Sequence, residues 1–130
     1  LTMNIDNLKY LKYFYYFSLI ILLIIYLYPG SLIGKILYGD VGKQPNLVSN
    51  SLGTYLNHFF AFLMLSILNV LAHGKNIFFK SSFAILLFLS VTLELFHLII
   101  PNRSFEIGDL LANFFGVIFV AFYFILKKQK

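Results

Sequence analysis

The chain has 130 residues, of which 60% are hydrophobic and 12% are charged. Soluble domains carry roughly a quarter charged residues, so this composition excludes an ordinary soluble domain. Cysteine is absent, which excludes disulfides, thiolate metal sites and cysteine nucleophiles. The formal net charge is +5, but the basic residues lie at the ends of apolar segments rather than on one patch. The charge therefore indicates membrane orientation and not a nucleic-acid partner.

Four apolar segments each approach the ~20 residues that are needed to cross a hydrocarbon core. They are residues 13–28, 55–72, 82–100 and 110–126. A segment in lipid must satisfy its own backbone hydrogen bonds, so each is predicted to be a helix. The first is not followed by a small-x-small cleavage site, and we interpret it as a retained helix rather than a signal peptide. The sequence predicts an all-α integral membrane protein, with one four-helix bundle over residues 1–130.

The basic residues divide unequally between the two sides that four spans define. Seven lysines fall on the side that carries both termini, whereas the opposite side receives two lysines and one arginine. This bias predicts that both termini are cytoplasmic and that the segment Glu94–Gly116 faces outward. The seven are Lys9, Lys12, Lys75, Lys80, Lys127, Lys128 and Lys130.

The connections between the apolar segments differ in length. The outer loop Pro29–Thr54 is long and rich in glycine, and we expect a short interfacial or re-entrant piece around Leu32–Tyr38. The inner turn His73–Phe79 is short, which predicts that His73 is a surface residue. Pro101 is predicted to end the third helix, because proline cannot continue a helix.

Polar residues recur at helical spacing within three of the apolar segments, so each set lies on one helix face. These stripes are best buried against one another, because lipid penalises every polar group that faces it. They comprise His58, Phe62, Leu65 and Asn69, then Ser90, Glu94, His97 and Pro101, and finally Asp109, Asn113 and Gly116. At the outer end of the bundle they predict a ligand-binding or functional polar cluster. Its members are His58, Glu94, His97, Arg103, Asp109 and Asn113.

Single members of this predicted cluster have both structural and chemical interpretations. Arg103 is the only arginine, and its planar fork suits a phosphate or carboxylate ligand. We also expect it to contact at least one of the carboxylates Glu94, Glu106 and Asp109, and Glu94 is its most obvious partner. Glu94 lies about two turns inside the third helix, where a carboxylate is either a structural ion pair or a working group. Asp109 opens the fourth helix, where a carboxylate suits a capping role.

No tight motif identifies a catalytic or metal centre. Two histidines and two carboxylates of the cluster are metal-ligand types, but HExxH and comparable patterns are absent. The spacing Glu-x-x-His is common by chance, so the sequence predicts no metal and no cofactor. No Ser-His-Asp order indicates a nucleophile. Catalytic residues are therefore unassigned.

The region from Glu94 to Gly116 resembles the VanZ family of small bacterial membrane proteins. The family's pattern there is Glu, then Gln three residues on, then Pro-x-Arg-x-Phe-Asp-x-x-Asp, and Asn four residues later. Earlier in the chain, His58-Phe59-Phe60-Ala61-Phe62 is similar to the family's His-Phe-x-x-Tyr helix, and Tyr28-Pro29-Gly30 is similar to the end of its first helix. The matching positions of the main pattern are Glu94, Pro101, Arg103, Phe105, Asp109, Asn113 and Gly116.

Four positions depart from the family pattern. His97 replaces Gln and Glu106 replaces Asp, both of which keep polarity, and Thr54-Tyr55 stands where an Asp-Lys pair usually precedes the histidine. The resemblance implies a multi-pass protein of the bacterial inner membrane. One branch of the family is associated with low-level resistance to the glycopeptide teicoplanin, but the resemblance supplies no biochemical activity.

Three functions suit an outer polar cluster in a membrane bundle. The preferred hypothesis is recognition of an envelope-lipid or cell-wall-precursor headgroup by Arg103 and its neighbours. The second is an enzyme acting on such a lipid-linked substrate, with Glu94 or Asp109 as the base. His58 or His97 would then carry the proton. The third is an accessory subunit that docks a membrane-protein partner. An open pocket would favour the first two functions, and a closed, fully paired cluster would favour the third.

Overall fold

The computed structural model describes residues 5–50, 52–74 and 79–128. Within these ranges the chain forms five helices and no strand. Four of the helices are long and apolar enough to cross a membrane, which confirms the prediction of an all-α membrane protein with four spans. The helices are α1 (Ile5–Leu27), α2 (Leu32–Tyr38), α3 (Leu52–His73), α4 (Phe79–Phe96) and α5 (Ile107–Lys128).

Some of the predicted inner features lie outside the described residues. Most of the predicted inner turn falls on residues 75–78, and two lysines of the orientation argument, Lys75 and Lys130, fall outside the described ranges. The orientation of the termini therefore stays a prediction that rests on the lysine distribution.

Most of the helix ends lie beyond the limits of the predicted apolar segments. The C-terminal end of α4, the third membrane helix, is an exception. α4 ends at Phe96 rather than at residue 100. Beyond it, the N–H groups of residues 97–99 bond to carbonyls three residues earlier. Pro101 disfavours the helical conformation at the residue before it, and its ring clashes with the carbonyl four residues back. Its effect therefore reaches back to His97, which lies just beyond the helix.

A short helix is present at the residues where the long loop was expected to contain one. Its first turn is capped by Ser31, whose Oγ accepts a hydrogen bond from the N–H of Gly34 at 2.9 Å. It ends at Tyr38, and the next residue, Gly39, adopts the left-handed conformation with φ 68°. A side chain at position 34 would clash with the carbonyl oxygen of Lys43. Helix α2 is therefore folded against its own loop, beside the end of α1.

The helices alternate in direction, so all the predicted outer connections lie at one end of the bundle. Here the end of α1, helix α2, the start of α3, the end of α4 and the start of α5 come together; we call this the site end. Of the helix pairs, α3 and α5 have the most extensive contact. A Cβ on Gly116 would lie 2.6 Å from the carbonyl oxygen of Phe59, so the absence of a side chain permits this approach.

At the opposite end of the bundle, His73 is buried, and the prediction of a surface residue is wrong. It is the last residue of α3, and its Nδ1 lies 3.1 Å from Oδ1 of Asn69. Its Nε2 lies 3.3 Å from the hydroxyl of Tyr16, and the ring of Tyr15 packs edge-on against it. The tyrosines of α1 thus cover the end of α3. The position of His73 next to a turn did not indicate this contact.

Candidate functional site

Five of the six predicted site residues form one buried cluster at the site end. They come from α3, α5 and the end of α4, and none is more than 6% exposed. The polar stripes of the sequence therefore meet one another, as the cost of exposing them to lipid requires. The five are His58, Glu94, His97, Asp109 and Asn113. Their role in binding a ligand stays a prediction.

Glu94 is fully buried and contacts histidines rather than arginine. Its Oε1 lies 3.2 Å from Nδ1 of His97 and accepts a hydrogen bond from the N–H of Glu106 at 3.3 Å. The other ring nitrogen of His97, Nε2, lies 3.1 Å from the carbonyl oxygen of Tyr26. A carbonyl only accepts, so Nε2 carries a proton. A second proton, on the ring or on the carboxyl group, must then lie between His97 and Glu94.

His58 is held by hydrogen bonds that select its tautomer. The hydroxyl of Tyr26 donates to Oδ1 of Asn113 at 2.7 Å. Nδ1 of His58 lies 3.1 Å from that hydroxyl oxygen and 3.2 Å from Oδ1 of Asn113. Because the hydroxyl proton is already used, both neighbours are acceptors, and Nδ1 is the protonated nitrogen. Nε2 is then a free lone pair, and it lies 3.7 Å from Oδ2 of Asp109.

Tyr26 belongs to this cluster although the sequence did not indicate it. Its side chain is 6% exposed, and its ring packs edge-on against His58 and is stacked on His97. Its hydroxyl bonds two members of the cluster. One sequence feature could have indicated Tyr26: it places a hydroxyl group near the outer end of an aliphatic segment, two residues before Tyr28-Pro29-Gly30.

Arg103 contacts the backbone of α1, and the expectation that it contacts a carboxylate is wrong. Its Nε donates to the carbonyl of Tyr28 at 3.2 Å, and its Nη2 donates to the carbonyl of Ile25 at 2.6 Å. The carbonyl of Ile25 would ordinarily accept from the residue four positions on, which is Pro29 and has no N–H. All the ion pairs among the described residues involve histidine. Arg103 therefore caps the end of α1, where the helix dipole also favours a cation.

The charge of Arg103 nevertheless contributes to the electrostatics of the site. Burial lowers the pKa of its guanidinium below the ordinary value, while Tyr26, Glu94 and Asp109 act to raise it. Arginine remains charged at any physiological pH. The site end thus contains one permanent, half-buried cation close to the carboxylates, although it does not touch them.

Asp109 is directed into the bundle and does not cap its helix. It is the third residue of α5 rather than the residue before it, and its Oδ1 has no hydrogen bond among the described residues. Its Oδ2 faces Nε2 of His58. Its place in the first turn of α5 still gives it the favourable interaction with the helix dipole.

Two cavities adjoin the cluster. One has a volume of about 210 Å³ and is mostly polar, with His58, His97, Arg103 and Asp109 in its wall. The other has a volume of about 550 Å³, lies between α1 and α3, and is lined mainly by aliphatic side chains. The two share a boundary made by Ser31, Gln44, His58 and Arg103.

A comparison with protein-family models gives a match to VanZ/LLP1 over residues 12–128. The match includes α2 to α5 and every residue of the predicted cluster. No curated protein and no solved structure matches the chain. The family match agrees with the resemblance that residues 94–116 carry.

Proposed function

The chain belongs to the VanZ/LLP1 family, and from that premise we propose that it binds the anionic headgroup of an envelope lipid or cell-wall precursor. In this proposal it is a multi-pass protein of the bacterial inner membrane, and the site end faces outward. The lysine distribution supports this orientation. The headgroup occupies the polar cavity, and the chain of the same lipid lies in the apolar cavity.

The observation that carries the proposal is the shared boundary of the two cavities. A lipid has a polar and an apolar part joined at one point, and a binding site for it needs the same arrangement. The apolar cavity, at about 550 Å³, is within the range of about 300–1,000 Å³ of small-molecule sites. His58 and Arg103 lie where the cavities meet, so they are placed to contact the junction between headgroup and chain.

Arg103 supports an anionic headgroup rather than a neutral one. Its hydrogen bonds to α1 use Nε and Nη2, and Nη1 makes no hydrogen bond to the described residues. The side chain lines both cavities. A guanidinium group fixed in this way presents a remaining donor and a permanent charge, which suit a phosphate oxygen.

An enzyme that acts on the same lipid is a second candidate, because two facing groups line the polar cavity. Nε2 of His58 and Oδ2 of Asp109 lie 3.7 Å apart in its wall. A histidine and a carboxylate in this position could transfer a proton to or from a bound headgroup. An accessory subunit with a closed, fully paired cluster is less well supported, since cavities adjoin the cluster and two of its carboxylate oxygens make no hydrogen bond to the part of the chain that the structure describes.

The test is lipid binding by the purified protein in detergent. Phosphatidylglycerol and a polyprenyl phosphate are the anionic probes, and phosphatidylcholine is the zwitterionic control. The change Ala61→Phe narrows the apolar cavity, which Ala61 lines. Ala84→Phe is the matched control, because Ala84 is exposed on the outer face of α4. We expect selective binding of an anionic probe, at least tenfold weaker in Ala61→Phe and unchanged in Ala84→Phe.

Equal binding of the anionic and zwitterionic probes, or full binding by Ala61→Phe, would contradict the proposal. The enzyme candidate is tested in the same samples by mass spectrometry of the recovered probe. A modified probe that forms with the native chain and not with His58→Gln would favour catalysis over recognition.

A further inference from the structure

Three side chains from three helices point at one small volume beside the polar cavity. They are His58 of α3, Glu94 of α4 and Asp109 of α5, and all three are buried. Each offers one ligand atom, and these atoms all lie within 4.8 Å of one another. The chain folds so that residues 36 and 15 positions apart meet, which is why no short sequence motif marks them.

The two carboxyl groups of this triad have oxygen atoms without a hydrogen bond. Within the described residues, Oε2 of Glu94 and Oδ1 of Asp109 are buried and have no hydrogen-bond partner, although Oε2 lies 3.7 Å from Nδ1 of His58. Glu94 is 0% exposed and Asp109 is 5% exposed. Buried carboxylates are costly unless a cation or several hydrogen bonds compensate them. The nearby cation of Arg103 is engaged with the backbone of α1.

The tautomer of His58 is the one that a metal ligand requires. Its Nδ1 donates to Asn113 or Tyr26, so the lone pair is on Nε2 and faces Asp109. Histidines that bind metals almost always donate their other ring nitrogen to a fixed acceptor, which orients the ring. The distance from Nε2 to Oδ2 of Asp109 is 3.7 Å. Two ligands at about 2.0–2.2 Å from one tetrahedral ion lie about 3.3–3.6 Å apart, so a small adjustment would suffice.

We propose that His58, Glu94 and Asp109 bind one divalent transition-metal ion, of the class of zinc or manganese. One imidazole nitrogen and two carboxylate groups suit these ions, whereas calcium and magnesium prefer oxygen ligands alone. Three protein ligands leave a coordination position free. His58 and Asp109 also line the polar cavity, which is the available source of a further ligand. The metal site stands independently of the proposed lipid binding, because its test needs no lipid.

The test is metal binding by the full chain, purified in detergent through an affinity tag without histidine. The protein is treated with a chelator, dialysed against Zn²⁺ or Mn²⁺, and its bound metal is measured by mass spectrometry. We expect about one ion per chain and a higher melting temperature with metal. The variants His58→Gln, Glu94→Gln and Asp109→Asn keep side-chain size, and each should bind at least tenfold more weakly.

His73→Gln is the matched control, because His73 is a buried histidine at the opposite end of the bundle. It should bind metal as the native chain does. Circular dichroism identifies any variant that does not fold, and the other two variants then decide the result. A folded native chain that binds neither ion would overturn the proposal, as would full metal binding by folded variants of the triad.

Discussion

Nη2 of Arg103 lies 2.6 Å from the carbonyl oxygen of Ile25. This hydrogen bond replaces the backbone hydrogen bond that the carbonyl of Ile25 lacks in α1. The donor four residues on would be Pro29, which has no N–H. Together with the bond from Nε to Tyr28, it joins the turn between α4 and α5 to the end of α1. The only arginine of the chain therefore has a structural role that a lysine, with a single point charge, would fill poorly.

Replacing Arg103 should destabilise the protein whether or not Glu94 is present. Arg103→Gln removes two charge-assisted hydrogen bonds, and a loss of about 1.5–3 kcal/mol is expected. Since Arg103 and Glu94 form no direct ion pair and interact only through their charges, the double variant should not recover most of the stability that the single variants lose. Thermal unfolding of both single variants and the double variant measures this.

Lys35→Gln is the control for Arg103→Gln, since Lys35 is an exposed cation at the same end of the bundle. It should leave the melting temperature nearly unchanged. A double variant that recovers most of the lost stability would show that Arg103 and Glu94 form a direct pair after all.

Adding one methyl group at position 116 should separate α3 from α5. In Gly116→Ala the new Cβ would lie 2.6 Å from the carbonyl oxygen of Phe59, and backbone cannot move aside as a flexible side chain can. Overpacking of this kind costs about 1–3 kcal/mol. Phe119→Leu, at a position on the same helix that is 67% exposed, is the control. Equal melting temperatures for the two variants would contradict the close approach.

Removing the hydroxyl of Tyr26 should weaken the cluster without changing its shape. Tyr26→Phe removes the 2.7 Å hydrogen bond to Oδ1 of Asn113, which keeps Nδ1 of His58 as a donor, and a loss of about 0.5–1.5 kcal/mol is expected for one hydrogen bond. Tyr123→Phe, at a residue that is 57% exposed, should cost much less. Chemical-shift changes at His58 in labelled protein would report the rearrangement directly, and their absence would argue against the bond.

The orientation of the chain is tested by labelling from each side of the membrane. The native sequence has no cysteine, so single changes give no background. Ser104→Cys lies in the turn at the site end, and Ser81→Cys lies near the start of α4 at the opposite end. We expect a membrane-impermeant thiol reagent added to intact cells to label only position 104. Labelling of position 81 alone would reverse the orientation and place the polar cavity in the cytoplasm.

The four spans were predictable from sequence because length and apolar composition alone determine which segments cross a bilayer. The meeting of Glu94 with His58 and Asp109 was also expected, since each lies on a polar stripe that lipid would penalise. The partners of Arg103 were not predictable in this way. They are backbone carbonyls, which every residue has. Pro29 indicates that the carbonyl of Ile25 lacks its helical donor, but nothing in the sequence indicates which side chain supplies the replacement.

The end of α4 and the burial of His73 were not predicted, because each depends on residues that are not next to it in the sequence. Pro101 was expected to stop the helix at its own position, but the helix ends at Phe96, because proline restrains the preceding turn as well. His73 was predicted to be a surface residue because it lies next to a turn. Tyrosines of α1, more than 50 residues earlier in the chain, cover it instead. Such contacts follow from the packing of helices, which periodicity within one segment does not specify.

The pairing of Glu94 with His97 has a consequence for biosynthesis. The chain is made from its N-terminus, so α4 is synthesised before Asp109, Asn113 and the backbone of Glu106 exist. Of the contacts that Glu94 makes, the one to His97 at 3.2 Å is local and requires no other helix. This histidine can therefore share a proton with the carboxyl group while α4 enters the bilayer, and the energetic penalty for inserting a bare charge is avoided before α5 arrives.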